Sequence, residues 1–228
     1  MYDISMRKFK YYDIILAQFV AALLISNIAA TKVVAFGPII MDGGALLFPL
    51  IYVIGDILTE VYGYKYARRA IWTGFIVMLI GVVTLTAVRY LPPAAEYQDQ
   101  ASFEAVLGFF PRIVLASLAA YLIGEFVNAY ILARMKVKAK GKNLWQRLIA
   151  SSIVGELLDT VIFATIAFAG IIVGWDFAIY ILVGWLFKTG VEILLLPLTY
   201  RVIKHLKKVE RVDHYDKRTD FSPFSLHT

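Results

Sequence analysis

Seven ionisable side chains stand inside stretches that are otherwise apolar: Asp56, Glu60, Glu125, Glu156, Asp159, Lys188 and Glu192. Holding one charge near the centre of a hydrocarbon layer costs at least about 2.5 kcal/mol on insertion scales, so such residues mark ligand or ion pathways. Six acids against two cations in these stretches, Lys32 and Lys188, cannot all be ionised and paired. Some must be protonated, meet water or meet a ligand. Asn27, Asp56, Glu125, Glu156, Asp159 and Lys188 each fall within about one turn of the middle of their own stretch at the 1.5 Å helical rise. They can ring one cavity at the midplane.

Helical spacing gives these groups a common inward face. Ser152, Gly155, Glu156, Asp159 and Phe163 follow the i, i+3, i+4, i+7 pattern of one helix side, and Ser117, Tyr121, Gly124, Glu125 and Asn128 repeat it. The two runs share Gly-Glu-x-x-(Asn/Asp), at Gly124-Glu125 to Asn128 and at Gly155-Glu156 to Asp159. Inverted elements of this kind frame transporter sites at the midplane. A third stretch presents Pro49, Tyr52, Asp56, Thr59, Glu60 and Gly63, and a fourth Trp185, Lys188, Thr189 and Glu192. The competing reading is that the polar groups only tie helices together, at about 0.6 kcal/mol per hydrogen bond. It suits Ser, Thr and Gly better than carboxylates. Glu60 and Lys32 lie toward the ends of their stretches, where long side chains reach the interface.

The elements that must position these residues follow from composition. The chain has 228 residues, 60% apolar and 18% charged, with no cysteine, which excludes disorder, a disulfide scaffold and thiolate chemistry. Six apolar stretches, 14–35, 44–62, 69–90, 110–133, 146–170 and 177–203, each have the roughly 20 residues needed to cross a bilayer. The expectation is an all-α integral membrane protein, because runs such as Ile71 to Val88 are apolar on every side and lack β alternation. Domain organisation reads as an N-terminus 1–13, a six-helix transmembrane domain 14–203 and a polar, loosely ordered tail 204–228. The first stretch is too long for a cleaved signal.

Of the 23 Lys and Arg, all but Lys32, Arg89, Arg112 and Lys188 fall on one side of these crossings: Arg7, Lys8 and Lys10, then Lys65 to Arg69, then Arg134 to Arg147, then the tail. That bias puts both termini in the cytoplasm of an inner (cytoplasmic) membrane, and it reads as topology rather than as a nucleic-acid stripe. The segment Leu91 to Phe110 is the one long outer connection, either a plain link with a short surface helix or a lid. Gly37-Pro38 and Asp42-Gly43-Gly44 mark the turn between the first two spans, and Pro49 and Pro197 are candidate kinks.

Chemistries can be sorted from the same residues. His205, His214 and His227 all lie in or near the tail, so no His metal site and no buried catalytic His is available within the spans. An intramembrane aspartyl hydrolase using Asp56 with Asp159 is the enzymatic alternative, but its glycine-x-glycine-aspartate signature is absent. A mixed ring of acids, amide and lysine suits a small-molecule pocket more than a uniform channel filter. The reading is a transporter, not an enzyme, with no cofactor.

Ser26-Asn27, Phe48-Pro49 followed by Asp56, Ala67-Arg68-Arg69, Ala120-Tyr121 with Gly124 and Asn128, Ser152, Asp159-Thr160 leading to Phe163 and Ile166-Ala167-Phe168, and Lys188 occur in an order and spacing that resembles the queuosine precursor transporter family, also called the vitamin uptake transporter family. The resemblance covers roughly residues 14–203. It departs in the fourth span, where the family pattern has glutamine and aspartate and this chain has Glu125 and Asn128.

The resemblance implies uptake of a 7-deazaguanine (7-cyano-7-deazaguanine, its aminomethyl relative or queuine) for tRNA modification. A carboxylate such as Asp159 or Glu156 can accept the adjacent N1–H and NH2 of a guanine edge, while Asn27 or Lys188 donates to O6. Phe48, Tyr52, Tyr121, Phe163 or Trp185 can stack on the base, a contact worth about 1–3 kcal/mol. With Asp56, Glu125 and Asn128 these residues make up the expected substrate site. The six-helix plan also resembles the substrate-binding subunits of energy-coupling-factor transporters, which dock an ATPase through small residues of the first helix, here Ala17 and Ala21. A vitamin-binding subunit is thus the second reading, and a homodimer is compatible with either. If transport is secondary, Glu125 or Glu156 is the carrier of a coupling proton.

Overall fold

A computed structural model describes residues 9–37, 39–108, 110–168 and 170–225. Arg7, Lys8, Pro38 and His227 lie outside the described residues. The chain folds into α1 (Tyr12–Ala29), a hairpin of β1 (Val33–Phe36) and β2 (Ile39–Asp42), a 3₁₀ turn (Gly43–Leu46), α2 (Phe48–Ile57) running into a π turn (Leu58–Tyr62), α3 (Tyr64–Arg89), α4 (Gln100–Gly108), α5 (Phe110–Lys138), α6 (Leu144–Phe168) and α7 (Trp175–Glu210). Among the described residues, five helices are long and apolar enough to cross a membrane. Helices satisfy their own backbone groups, as a bilayer demands, and their outward faces carry Ile76, Ile80, Val83, Leu194 and Leu198 exposed.

The expected second span, 44–62, is helical but not one uniform α-helix. It is a composite of a 3₁₀ turn, ten α-helical residues and the π turn. The expected first span likewise ends at Ala29, and the β-branched Val33 and Val34 enter the antiparallel hairpin, with Val33 opposite Asp42 and Phe36 opposite Ile39. Pro49 does not kink a helix; it sits in the first turn of α2, where its missing N–H has no partner to lose. Pro197 lies inside α7, which continues past it to Glu210. The segment after Arg89 contains the short helix α4.

Glu60 is not an interfacial side chain but fully buried, which corrects that expectation. Its carboxylate accepts two bonds from Arg147, at 2.6 and 3.2 Å, and one from Lys207 at 2.6 Å. Lys136 donates to the Glu60 carbonyl at 2.6 Å. A π turn carries an extra residue per turn, and Leu58–Tyr62 is wound this way before Gly63, at φ 89°, releases the chain into α3. Three helices, α5, α6 and α7, therefore converge on Glu60.

The tail is also corrected: it is packed, not loose. Asp213 bridges Lys136 at 2.6 Å and Lys207 at 2.9 Å. Burial pushes the Asp213 carboxyl up, but the two ammonium groups outweigh it and hold it below the ordinary range. Asp216 is held low too, because His214, Thr219 and the Tyr64 N–H together offset its burial. Tyr64, Arg68 and Trp72, four residues apart on one face of α3, donate to the carbonyls of Phe221, of Asp220 and Ser222, and of Pro223. Glu210 accepts from the backbone N–H of Lys10 and Tyr11 at 2.9 and 2.7 Å, capping the start of α1 with a negative charge. Both ends of the described chain thus meet at the Lys- and Arg-rich end of the bundle.

Candidate functional site

The site begins with a helix crossing. α5 and α6 form the most extensively packed pair in the molecule, and they meet at Gly124 and Gly155. A Cβ on Gly124 would lie 3.0 Å from the Gly155 carbonyl oxygen, and a Cβ on Gly155 would lie 3.0 Å from that of Gly124 and 2.8 Å from Asn128 Cβ. Only glycine permits this approach, the small-residue device of membrane helix pairs. The shared Gly-Glu run thereby brings Glu125 and Glu156 onto neighbouring backbones. Tyr52 of α2 is wedged against both glycines, its hydroxyl over Gly124 and its ring edge over Gly155. That hydroxyl is in electrostatic reach of Asp159, Glu125, Glu156 and Glu192.

Around this crossing the polar groups pair across helices. Lys188 of α7 binds Asp159 of α6 at 2.8 Å and stands 4.6 Å from the centre of the Phe48 ring, a cation–π contact. Asn128 Nδ2 donates to Asp56 Oδ1 at 2.8 Å. An amide is needed at this position, because an ionised aspartate there would have no proton to give Asp56. Thr189 donates to Glu156, and Ser152 donates to Glu192. Glu192 also faces Asp56 and Glu156. Asp56 and Asp159, the pair an aspartyl hydrolase would use, are each bound to a different partner.

Sequence-expected residues divide by where the structure puts them. Tyr52, Asp56, Glu125, Asn128, Glu156, Asp159, Lys188 and Phe48 are brought together. Phe163 lines a small cavity with Lys188, Thr160, Asp42 and Tyr180 on the hairpin side of the cluster. Tyr121 and Trp185 make their hydrogen bonds away from the acids, although Tyr121 stays within electrostatic reach of Glu125. The Tyr121 hydroxyl donates to the Ile71 carbonyl on α3 at 3.0 Å, and the Trp185 ring N–H donates to the Ile153 carbonyl at 3.1 Å on an exposed face. Their helical phase placed them with the acids, but a long ring can turn to a neighbouring helix. Asn27 folds its amide back to the Leu23 carbonyl at 2.9 Å. Lys32 is exposed in the turn after α1.

Sequence reasoning missed two contributors. Glu192, on the inward face four residues after Lys188, joins the expected site residues. Asp42 is more than a turn residue: its carboxylate caps the 3₁₀ turn through the Ala45 N–H at 3.1 Å and also faces Lys188.

A family model described as "Putative vitamin uptake transporter" matches residues 42–202. A Bacillus subtilis (strain 168) protein named "Probable queuosine precursor transporter" is 30% identical over 192 residues, covering 83% of each chain. A Haemophilus influenzae protein of the same name is 28% identical over 163 residues, 70% of this chain and 67% of its own. The "Queuosine precursor transporter" of Escherichia coli (strain K12) is 28% identical over 125 residues, 55% of this chain and 54% of its own. No solved structure matches the chain.

Proposed function

Because the chain belongs to the vitamin uptake transporter family, we propose that it carries a queuosine precursor of the 7-deazaguanine class across the cytoplasmic membrane, for use in tRNA modification. The observation that supports this most directly is the buried Lys188–Asp159 pair at the Gly124–Gly155 crossing. A guanine edge presents an acceptor, O6, beside two donors, N1–H and the exocyclic NH2. Lys188 is a donor standing beside an acceptor whose second oxygen, Asp159 Oδ1, has no partner among the described residues. The two patterns are complementary, and charge-assisted bonds of this kind are roughly twice as strong as neutral ones.

In this reading Asp159 and Lys188 hold the base edge, while Phe48 and Phe163 flank it and Asp56, Asn128, Glu125, Glu156 and Tyr52 line the remaining wall. The composite second segment counts as a crossing, giving six, and the Lys- and Arg-rich end that carries both termini is cytoplasmic. The Glu60 node and the tail then close the inner face, while the cavity beneath the hairpin lies on the outer side. The protein is a carrier rather than an enzyme, and Glu125 or Glu156 carries the coupling proton.

The test is binding of 7-cyano-7-deazaguanine, 7-aminomethyl-7-deazaguanine, queuine and guanine to the purified full-length protein by calorimetry. The expected result is saturable binding of a deazaguanine that Asp159→Asn weakens at least about tenfold, a loss of about 1.4 kcal/mol. Lys188→Gln should do the same. Binding of none of the four, by a protein that elutes as a folded species, would overturn the proposal.

A further inference from the structure

The cluster is short of donors and of positive charge, and that shortage has a definite sign. Five carboxylates, Asp56, Glu125, Glu156, Asp159 and Glu192, are buried around the helix crossing, and Lys188, which faces Asp159 and Glu156, is the one cation buried with them among the described residues. Glu125 Oε1 and Asp159 Oδ1 find no hydrogen-bond partner among the described residues, whereas Asp56 and Glu156 each lie within hydrogen-bonding reach of Glu192. Asn128 Oδ1, also an acceptor, is left unpaired as well. On the donor side, the Lys188 ammonium, the Asn128 amide and the Thr189 and Ser152 hydroxyls are already committed. The hydroxyl of Tyr52, a residue 1% exposed and in electrostatic reach of four of these acids, is an uncommitted donor among the described residues.

Buried acceptors left unpaired cost about 1–3 kcal/mol each, and more when charged. A ligand that brings N–H donors and positive charge satisfies whichever of these carboxylates is ionised, and one that brings only further acceptors does not. We infer that the site selects a 7-deazaguanine whose C7 substituent ends in a protonated amine over one that ends in a neutral nitrile. This rests on the queuosine-precursor reading and deepens it. The base edge occupies Lys188 and Asp159, and the ammonium of the C7 arm reaches the remaining acids, with Glu125 and Glu192 as its counter-charges. A primary alkyl ammonium ionises near the lysine range and is therefore charged at pH 7. A nitrile offers only an acceptor to a wall of acceptors.

The experiment compares 7-aminomethyl-7-deazaguanine, 7-cyano-7-deazaguanine and guanine on the wild-type full-length protein at pH 7. Glu125→Gln and Glu192→Gln variants are measured beside it, each checked for a folded, monodisperse elution profile. The expected result is that the aminomethyl compound binds at least about tenfold tighter than the nitrile, with each Gln variant narrowing that ratio through weaker aminomethyl binding. Equal or tighter binding of the nitrile by the wild type overturns the inference and leaves the transporter reading standing, since the acids would then be neutralised by protons. Binding of none of the three overturns the transporter reading itself. The wild-type ratio decides the matter even if both variants fail to fold.

Discussion

Replacing Gly124 by alanine tests the helix crossing on which the whole site depends. The added methyl would overlap the Tyr52 hydroxyl, lie 2.9 Å from Asp159 Cβ and lie 3.0 Å from the Gly155 carbonyl oxygen. Ordinary contacts between such atoms are about 3.5–4.0 Å, so α5 must move away from α6 or Tyr52 must leave its slot. Tyr52 is 1% exposed, so moving it disturbs packed neighbours. Overpacking of this kind costs about 1–3 kcal/mol. Gly190→Ala is the matched control, since nothing lies within 4 Å of a Cβ there. Both substitutions gain up to about 1 kcal/mol of helix propensity, which cancels when the two variants are compared. Thermal unfolding in one detergent should therefore place Gly124→Ala below Gly190→Ala by several degrees. Ligand binding should weaken in Gly124→Ala and hold in Gly190→Ala. Equal melting temperatures for the two variants would refute the close crossing.

The other end of the bundle makes its own predictions. Glu60→Gln leaves Lys136, Arg147 and Lys207 around a neutral amide and should destabilise the protein by about 3–5 kcal/mol, the usual cost of removing one partner from a buried ionic network; a loss below about 1 kcal/mol in chemical unfolding would contradict the network. Deleting residues 212–228 should lower the melting temperature and change the fluorescence of Trp72, whose ring N–H bonds the Pro223 carbonyl. An unchanged spectrum would show that the tail does not lie on α3. Asp213 and Asp216 are held below the ordinary carboxylate value, so their contribution is fully present above about pH 4 and is lost only as the pH falls through their lower folded values. Limited proteolysis of the tail should stay slow from pH 7 to pH 5 and quicken below pH 4; release already at pH 6 would contradict the pairing. Trp185→Phe should leave binding intact, because its ring points to Ile153 rather than to the acids, whereas Phe48→Leu should weaken it.

Sequence by itself determined the class of molecule, since long apolar stretches interrupted at mid-depth by carboxylates admit only a helical membrane bundle with a polar interior. It also placed Glu125 and Glu156 on matching helical faces, because the Gly-Glu run has the same local meaning wherever it occurs. Local pattern fails where a side chain has a choice of neighbours. Tyr121 shares the phase of Glu125 yet reaches α3, and only the packing of a third helix decides that. Glu60 lies near a span end, which suits the interface, until Arg147, Lys136 and Lys207 arrive from three other helices and make burial the lower-energy state. The tail is polar in composition, but its carbonyls meet a row of donors on α3 at 64, 68 and 72, a match between segments about 150 residues apart. Hydropathy is read along a chain, whereas hydrogen-bond satisfaction is settled across it, and for that reason the bundle was legible in advance and its latches were not.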